Sequence, residues 1–129
     1  MNKKIMVVDD EPDILSSLRA IFERQSYEVI TVESGAECLE ELEKGFKGVI
    51  LMDIMMPEMD GWDTIKEIVN RGLMKDITIE IITGKGTRDH QKMSGLGSYI
   101  YDYLTKPLNM EELISSVNKC SMYLSARDN

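Results

Sequence analysis

The stretch GVILMDIMMPEMDGW, residues 48–62, decides the fold. Residues 48–52 read as a β-strand that runs straight into an acid, Asp53. A loop follows, Ile54-Met55-Met56-Pro57-Glu58-Met59. Asp60 is then placed to cap a helix that carries Trp62, Ile65, Ile68 and Val69 on its inner side, with Gly72 near its end. Strand, carboxylate, loop and capped helix make one unit, and the same change of apolar period recurs on either side of it.

Upstream, Lys4-Ile5-Met6-Val7-Val8 is a short continuous apolar run, as expected of a strand buried on both faces. After the acids, Pro12 suits a first helical turn, and Ile14, Leu15, Leu18, Ile21 and Phe22 form one amphipathic stripe. Residues 27–32 are a second strand. Ser34 and Glu37 have the spacing of a capping box, opening a helix with Ala36, Leu39 and Leu42 that Gly45 ends. Downstream, residues 77–83 are strand-like and rich in Ile and Thr. Residues 88–96 make a weak helix, interrupted around Gly95 and Gly97, and 99–104 a last strand. Asn109 and Glu112 form another capping box, ahead of a helix striped by Met110, Leu113, Ile114, Val117, Cys120 and Leu124. Five strands thus alternate with five helices, which predicts a parallel α/β sheet with helices on both faces. With no repeat or linker, residues 1–129 are expected to form a single domain with no room for a separate output module.

Composition narrows the function classes. Hydrophobic residues make up 43% and charged residues 29%, ordinary for a folded globular chain. The net charge of -8 argues against general phosphate-backbone binding, so no direct nucleic-acid contact is expected. No apolar run approaches the roughly 20 residues a membrane helix needs, and the start MNKKIMVVDDE lacks the pattern of a signal peptide. Cys38 and Cys120 are far apart and belong to no CxxC pair, so they read as reduced thiols of a cytoplasmic protein.

Ligands of such sheets sit beyond the carboxyl ends of the strands. There stand Asp9-Asp10-Glu11, Asp53, Thr83-Gly84 and Thr105-Lys106-Pro107, while Glu33-Ser34 reads as plain capping. If the first and third strands are neighbours, about 4.8 Å apart, Asp10 and Asp53 approach closely. Two carboxylates about 4 Å apart repel by roughly 4 kcal/mol at an effective dielectric of 20, so the cluster asks for a cation. An all-oxygen donor set without His or Cys selects a hard metal, magnesium or manganese, and magnesium with carboxylates suits phosphoryl transfer. A carboxylate at such a site can itself attack phosphorus to give an acyl phosphate. Lys106 would supply fixed positive charge and Thr83 a hydroxyl to the transferring group. A cis Lys106–Pro107 bond would aim the lysine inward.

In this order and spacing, VVDDE, LMDIMMPEMDGW, IITG and YLTKP resemble the receiver domain of two-component response regulators, over nearly the whole chain. The resemblance implies a flavodoxin-like doubly wound sheet of strand order 2-1-3-4-5. It implies Asp53 as phosphoacceptor, with Mg2+ held by Asp10 directly, Asp9 largely through water, Asp53, and the main-chain carbonyl of Met55. Thr83 and Lys106 would contact the phosphoryl group, and Tyr103, three before the lysine, would be the aromatic that turns inward when the threonine moves. The implied partners are a histidine kinase or phosphotransfer protein and a downstream protein that the sequence does not identify. Such domains catalyse their own phosphorylation and often their own dephosphorylation, without being turnover enzymes, and dimerisation on phosphorylation is left open. Two departures stand out: Tyr99 occupies the place of a usual Gly four before the switch aromatic, and residues 84–99 make a poor helix. Met55 and Lys85, two beyond Asp53 and Thr83, fall at positions that modulate phosphoryl lifetime in this family, and apolar Met55 is expected to hinder the hydrolytic water.

Simpler readings compete. Acids after a strand often only cap the next helix. Tyr99, Tyr101 and Tyr103 alternate, so they are expected to share one face of the last strand, as packing or as a partner surface. His90, in a polar stretch, is expected at the surface, and Lys85-Gly86-Thr87 lacks the upstream glycine of a P-loop. A magnesium-dependent phosphatase with an aspartyl nucleophile would need a second acid two residues on, where Met55 stands. A docking module independent of phosphorylation would not need the full set of Asp9, Asp10, Asp53, Thr83 and Lys106.

Overall fold

The computed structural model describes residues 3–84 and 95–127. Five strands form one parallel sheet: β1 (Lys4–Val8), β2 (Glu28–Val32), β3 (Gly48–Asp53), β4 (Ile77–Thr83) and β5 (Ile100–Thr105). Their order across the sheet is β2-β1-β3-β4-β5, the order implied by the resemblance. Four α-helices stand among the described residues, α1 (Pro12–Arg24), α2 (Gly35–Glu43), α3 (Gly61–Asn70) and α4 (Met110–Arg127), against five read from the sequence. The weak helix expected over 88–96 lies outside the described residues except for Gly95 and Leu96, which form a turn into a short 3-10 segment, Gly97–Tyr99.

Alternation along the strands sorts the core into two layers, because successive side chains of a strand point to opposite faces. Met6, Val8, Ile50, Met52, Ile77, Ile79 and Ile81 pack with Leu39 and Leu42 of α2 and with Trp62, Ile65 and Ile68 of α3. Ile5, Val7, Val49, Leu51 and Ile82 pack with Leu15, Leu18 and Phe22 of α1 and with Leu113, Val117 and Cys120 of α4. Every residue of β3 and β4 is buried, as the two-sided cover requires.

The helix starts follow the sequence in position, but the expected capping boxes close only in part: Asn109 Oδ1 accepts from the Glu112 amide at 3.0 Å, with no return bond among the described residues. Ser34 Oγ accepts from the Glu37 amide at 3.1 Å, but the Glu37 carboxylate accepts from the Glu33 amide at 2.7 Å rather than from Ser34 itself. The reciprocal box forms instead at α3, where Asp60 accepts from the Asp63 amide at 2.9 Å and Asp63 accepts from the Asp60 amide. Gly45, beyond the end of α2, has φ 103°, the left-handed region that suits a helix stop.

The expectation that three tyrosines share one face does not hold. Ile79 pairs with Ile100 and Glu80 with Asp102, so Tyr101 is an extra residue on β5, a β-bulge. One inserted residue turns the side chain to the other side of the sheet. Tyr99 and Tyr103 accordingly pack against the α2 and α3 layer, while the Tyr101 ring meets Tyr123 of α4 at 5.3 Å.

Candidate functional site

The sheet order places β1 beside β3, with Val8 opposite Met52, so the residues just beyond them, Asp9 and Asp53, are neighbours. Asp9, Asp10 and Asp53 each offer a carboxylate oxygen, and these oxygens all lie within 4.8 Å of one another. Asp9 and Asp53 are buried and Asp10 is exposed, so the cluster is rooted in the sheet and open to solvent on one side. One Asp9 oxygen accepts from the Glu11 amide at 2.9 Å, and the other is buried without a hydrogen-bond partner. Asp53 Oδ1 accepts from the Met55 amide at 3.0 Å, and Oδ2 accepts from Lys106 Nζ at 3.2 Å. The Lys106–Pro107 peptide is cis, and the Lys106 amide donates to the Thr83 carbonyl at 2.9 Å, joining the ends of β4 and β5.

The electrostatics follow from this crowding. Burial pushes the Asp9 carboxyl up to about 6. The Glu11 amide pulls it down, the Asp53 charge pushes it up, Lys106 pulls it down, and Asp10 pushes it up again. Burial alone would lower the Lys106 ammonium, but the Asp53 carboxylate, by charge and by hydrogen bond, outweighs it with help from Asp9 and Glu11 and holds it above its usual value. Three carboxylates thus share one lysine. A buried carboxylate with an unpartnered oxygen, gathered with two further carboxylates, is a donor set a hard divalent cation takes, so the residues present fit Mg2+.

Thr83 ends β4 and is buried. Ile81 pairs with Tyr103, so strand alternation puts Thr83 on the same sheet face as Tyr103, two residues along. Tyr103 is partly buried, its ring 6.4 Å from Trp62 of α3. Met55, by contrast, points outward and is 72% exposed beside Asp53. Lys85 and His90 lie outside the described residues.

Two residues that the sequence reading passed over matter here. Gly61, first residue of α3, donates its amide to the Ile54 carbonyl at 3.0 Å. A Cβ there would meet Ile54 Cα at 2.9 Å and the Asp53 carbonyl oxygen at 3.0 Å, so the loop after Asp53 closes against α3 only with glycine. Glu80 is 0% exposed in the middle of β4. Its signal was a lone acid among isoleucines in a strand buried on both faces.

Comparisons with known proteins place the chain in a family. The family model for the response regulator receiver domain matches residues 5–118. The chain is 38% identical over 117 residues to the alkaline phosphatase synthesis transcriptional regulatory protein PhoP of Bacillus subtilis (strain 168), covering 91% of this chain and 48% of that protein. It is 35% identical over 114 residues to the response regulator SaeR of Staphylococcus aureus (strain USA300), covering 88% and 48%. The chain therefore spans about half the length of the curated relatives it matches. A CheY-like response regulator receiver domain protein from Methanospirillum hungatei JF-1 superposes with a TM-score of 0.91 at 39% identity, covering 96% of this chain and 98% of that one.

Proposed function

Because the chain belongs to the response regulator receiver domain family, we propose that it is switched by a phosphoryl group accepted on Asp53. Receiver domains are signalling units rather than turnover enzymes, and the chemistry proposed is a single transfer. The Asp53 carboxylate attacks the phosphorus of a phosphohistidine on a histidine kinase or phosphotransfer protein. A new O–P bond forms as the N–P bond breaks, and the imidazole leaves. Lys106, already bonded to Asp53, meets the negative charge spread over the phosphoryl oxygens, and the Thr83 hydroxyl donates to one of them. Asp9, Asp10, Asp53 and the Met55 carbonyl would hold Mg2+, which when bound neutralises charge on the transferring group. Once Thr83 is drawn to the phosphoryl group it vacates space on the face it shares with Tyr103, and the tyrosine ring follows.

The observation that carries this reading is the gathering of Asp9, Asp10 and Asp53 oxygens within 4.8 Å, with Lys106 Nζ 3.2 Å from Asp53. Beryllofluoride, which mimics a bound phosphoryl group, tests it: with Mg2+, NMR shifts should appear around Asp53, Thr83 and Tyr103 and vanish in Asp53→Asn. Shifts that persist in that variant would refute Asp53 as the acceptor.

The downstream partner is a protein whose surface reads the new state. Among the described residues no helix is long and apolar enough to cross a membrane. The charge-based expectation of no nucleic-acid contact finds no support in the comparisons: PhoP is named a transcriptional regulatory protein, and this chain matches about half of it.

A further inference from the structure

Three acids are buried among the described residues; Asp9 and Asp53 belong to the pocket just described, and Glu80 does not. Glu80 lies at the centre of β4, opposite Leu51 of β3 and Asp102 of β5, on the sheet face that α4 covers. One of its oxygens is 3.0 Å from Ser116 Oγ of α4, and the other is buried without a hydrogen-bond partner. The same Ser116 Oγ is 3.4 Å from Asp102 Oδ2. A hydroxyl has one hydrogen to give. Were both carboxylates ionised, one of them would face the lone pairs of Ser116, and no lysine or arginine of the described residues pairs with Glu80 to offset the charge. A proton on Glu80 resolves the geometry: the acid donates to Ser116 Oγ, the serine hydrogen turns to Asp102, and the negative charge stays on the exposed member of the pair. Asp102 in turn accepts from the Tyr103 amide, at 2.8 Å through Oδ1.

We propose that Glu80 carries a proton near neutral pH and that its loss moves Tyr103, through Ser116 and Asp102, so that the β4–β5 end of the molecule senses pH. The environment supports this. Burial pushes the Glu80 carboxyl up to about 7, the Asp102 charge adds to the rise, and the Ser116 hydroxyl and the nearby Cys120 thiol oppose it. The titratable groups facing Glu80 from its neighbours are Asp102 and Tyr101 on β5, Cys120 on α4, and Tyr27 just before β2. Burial raises Cys120, Tyr27 and Tyr101 further, so all three stay neutral where Glu80 titrates. Tyr123 packs on Tyr101, and Glu111, Glu112 and Lys119 line a surface pocket with Asp102, but among these charged groups it is Asp102 whose charge bears on Glu80. On losing its proton Glu80 repels Asp102, and Asp102 holds the Tyr103 backbone. The proton site stands by itself, while its bearing on switching rests on the phosphoacceptor reading above.

The test is a carbon-detected pH titration of the side-chain carboxyls in the full chain, recorded with the Tyr103 amide and without any phosphoryl mimic. It therefore stays informative even if Asp53 accepts no phosphoryl group. Glu80 should titrate near neutrality, the Tyr103 amide should show an inflection at the same midpoint, and Glu80→Gln should abolish that inflection. Asp102→Asn should lower the Glu80 midpoint. A Glu80 midpoint in the ordinary glutamate range, a Tyr103 inflection that survives Glu80→Gln, or a midpoint indifferent to Asp102→Asn would each overturn the proposal.

Discussion

Asp9 holds one carboxylate oxygen in the interior with no hydrogen-bond partner, beside two more acids. That arrangement is unfavourable without a cation, so stability and function oppose each other at this residue. Asp9→Asn should raise the metal-free stability by about 3 kcal/mol at pH 7.5, because each unit by which a pKa is raised costs about 1.4 kcal/mol once the group is ionised and the Asp9 carboxyl is raised from 3.8 to about 6. If Mg2+ binds the folded state as proposed, it should stabilise the wild type, and the same variant should lose most of that gain. Denaturant titrations with and without Mg2+ check both, and an unchanged Mg2+ response would remove Asp9 from the site. Met55, exposed next to Asp53, is expected to bear on a different property, the lifetime of the phosphoryl group. Met55→Asn should speed loss of the phosphoryl group by roughly tenfold, equivalent to about 1.4 kcal/mol of barrier, since an amide can orient the water that a thioether excludes. An unchanged decay rate of the phosphorylated protein would contradict this.

The loop after Asp53 and helix α3 are fitted to each other at Gly61. Ile54 Cδ1, 2.7 Å from where a Cβ at position 61 would stand, can swing away, but Ile54 Cα and the Asp53 carbonyl oxygen cannot. Gly61→Ala should therefore destabilise the chain by about 1–3 kcal/mol, the usual cost of overpacking. It should also weaken beryllofluoride binding, because the displaced atoms belong to Asp53, the proposed acceptor, and to Ile54 beside it. Thermal unfolding and a binding titration test the two parts separately, and a variant as stable and as responsive as the wild type would contradict the account. At this scale the sequence was legible where apolar period and strand ends speak for themselves: five strands, four of the helices, and the acids and lysine that close the pocket. It was silent where a single residue changes the geometry. The extra residue Tyr101 cannot be seen in an alternating run, because a bulge is defined only by the partner strand. The Glu37 carboxylate reaches one residue further back than the capping-box spacing implies. Glu80 was hidden by its neighbours, since a strand described by its isoleucines draws attention away from the one acid among them.

Across the whole molecule, Asp9 and Glu80 act in the same direction. Both bind a proton more tightly folded than unfolded, at about 6 against 3.8 for Asp9 and about 7 against 4.5 for Glu80. A raised carboxyl favours the folded state while protonated, and that advantage is lost as pH rises through the folded value. The metal-free protein should therefore lose stability on the order of 3 kcal/mol between pH 5 and pH 8. Mg2+ should flatten the part due to Asp9, and Glu80→Gln the part nearer neutrality. Stability that rises over this range would contradict both assignments. Two separate regions of the sheet thus carry charge-sensitive groups: the β1–β3 end, where the proposed phosphoryl transfer would take place, and the β4–β5 strands, which would carry its response. The central claim remains that Asp53 is the acceptor. Its most direct measurement is to phosphorylate the chain from a histidine-kinase phosphohistidine, reduce the acyl phosphate with borohydride, and locate the resulting homoserine by mass spectrometry. Homoserine at position 53, formed with Mg2+ and absent when the metal is chelated, is the predicted result. Homoserine at another acid, or labelling of Asp53 that ignores the metal, would contradict the account.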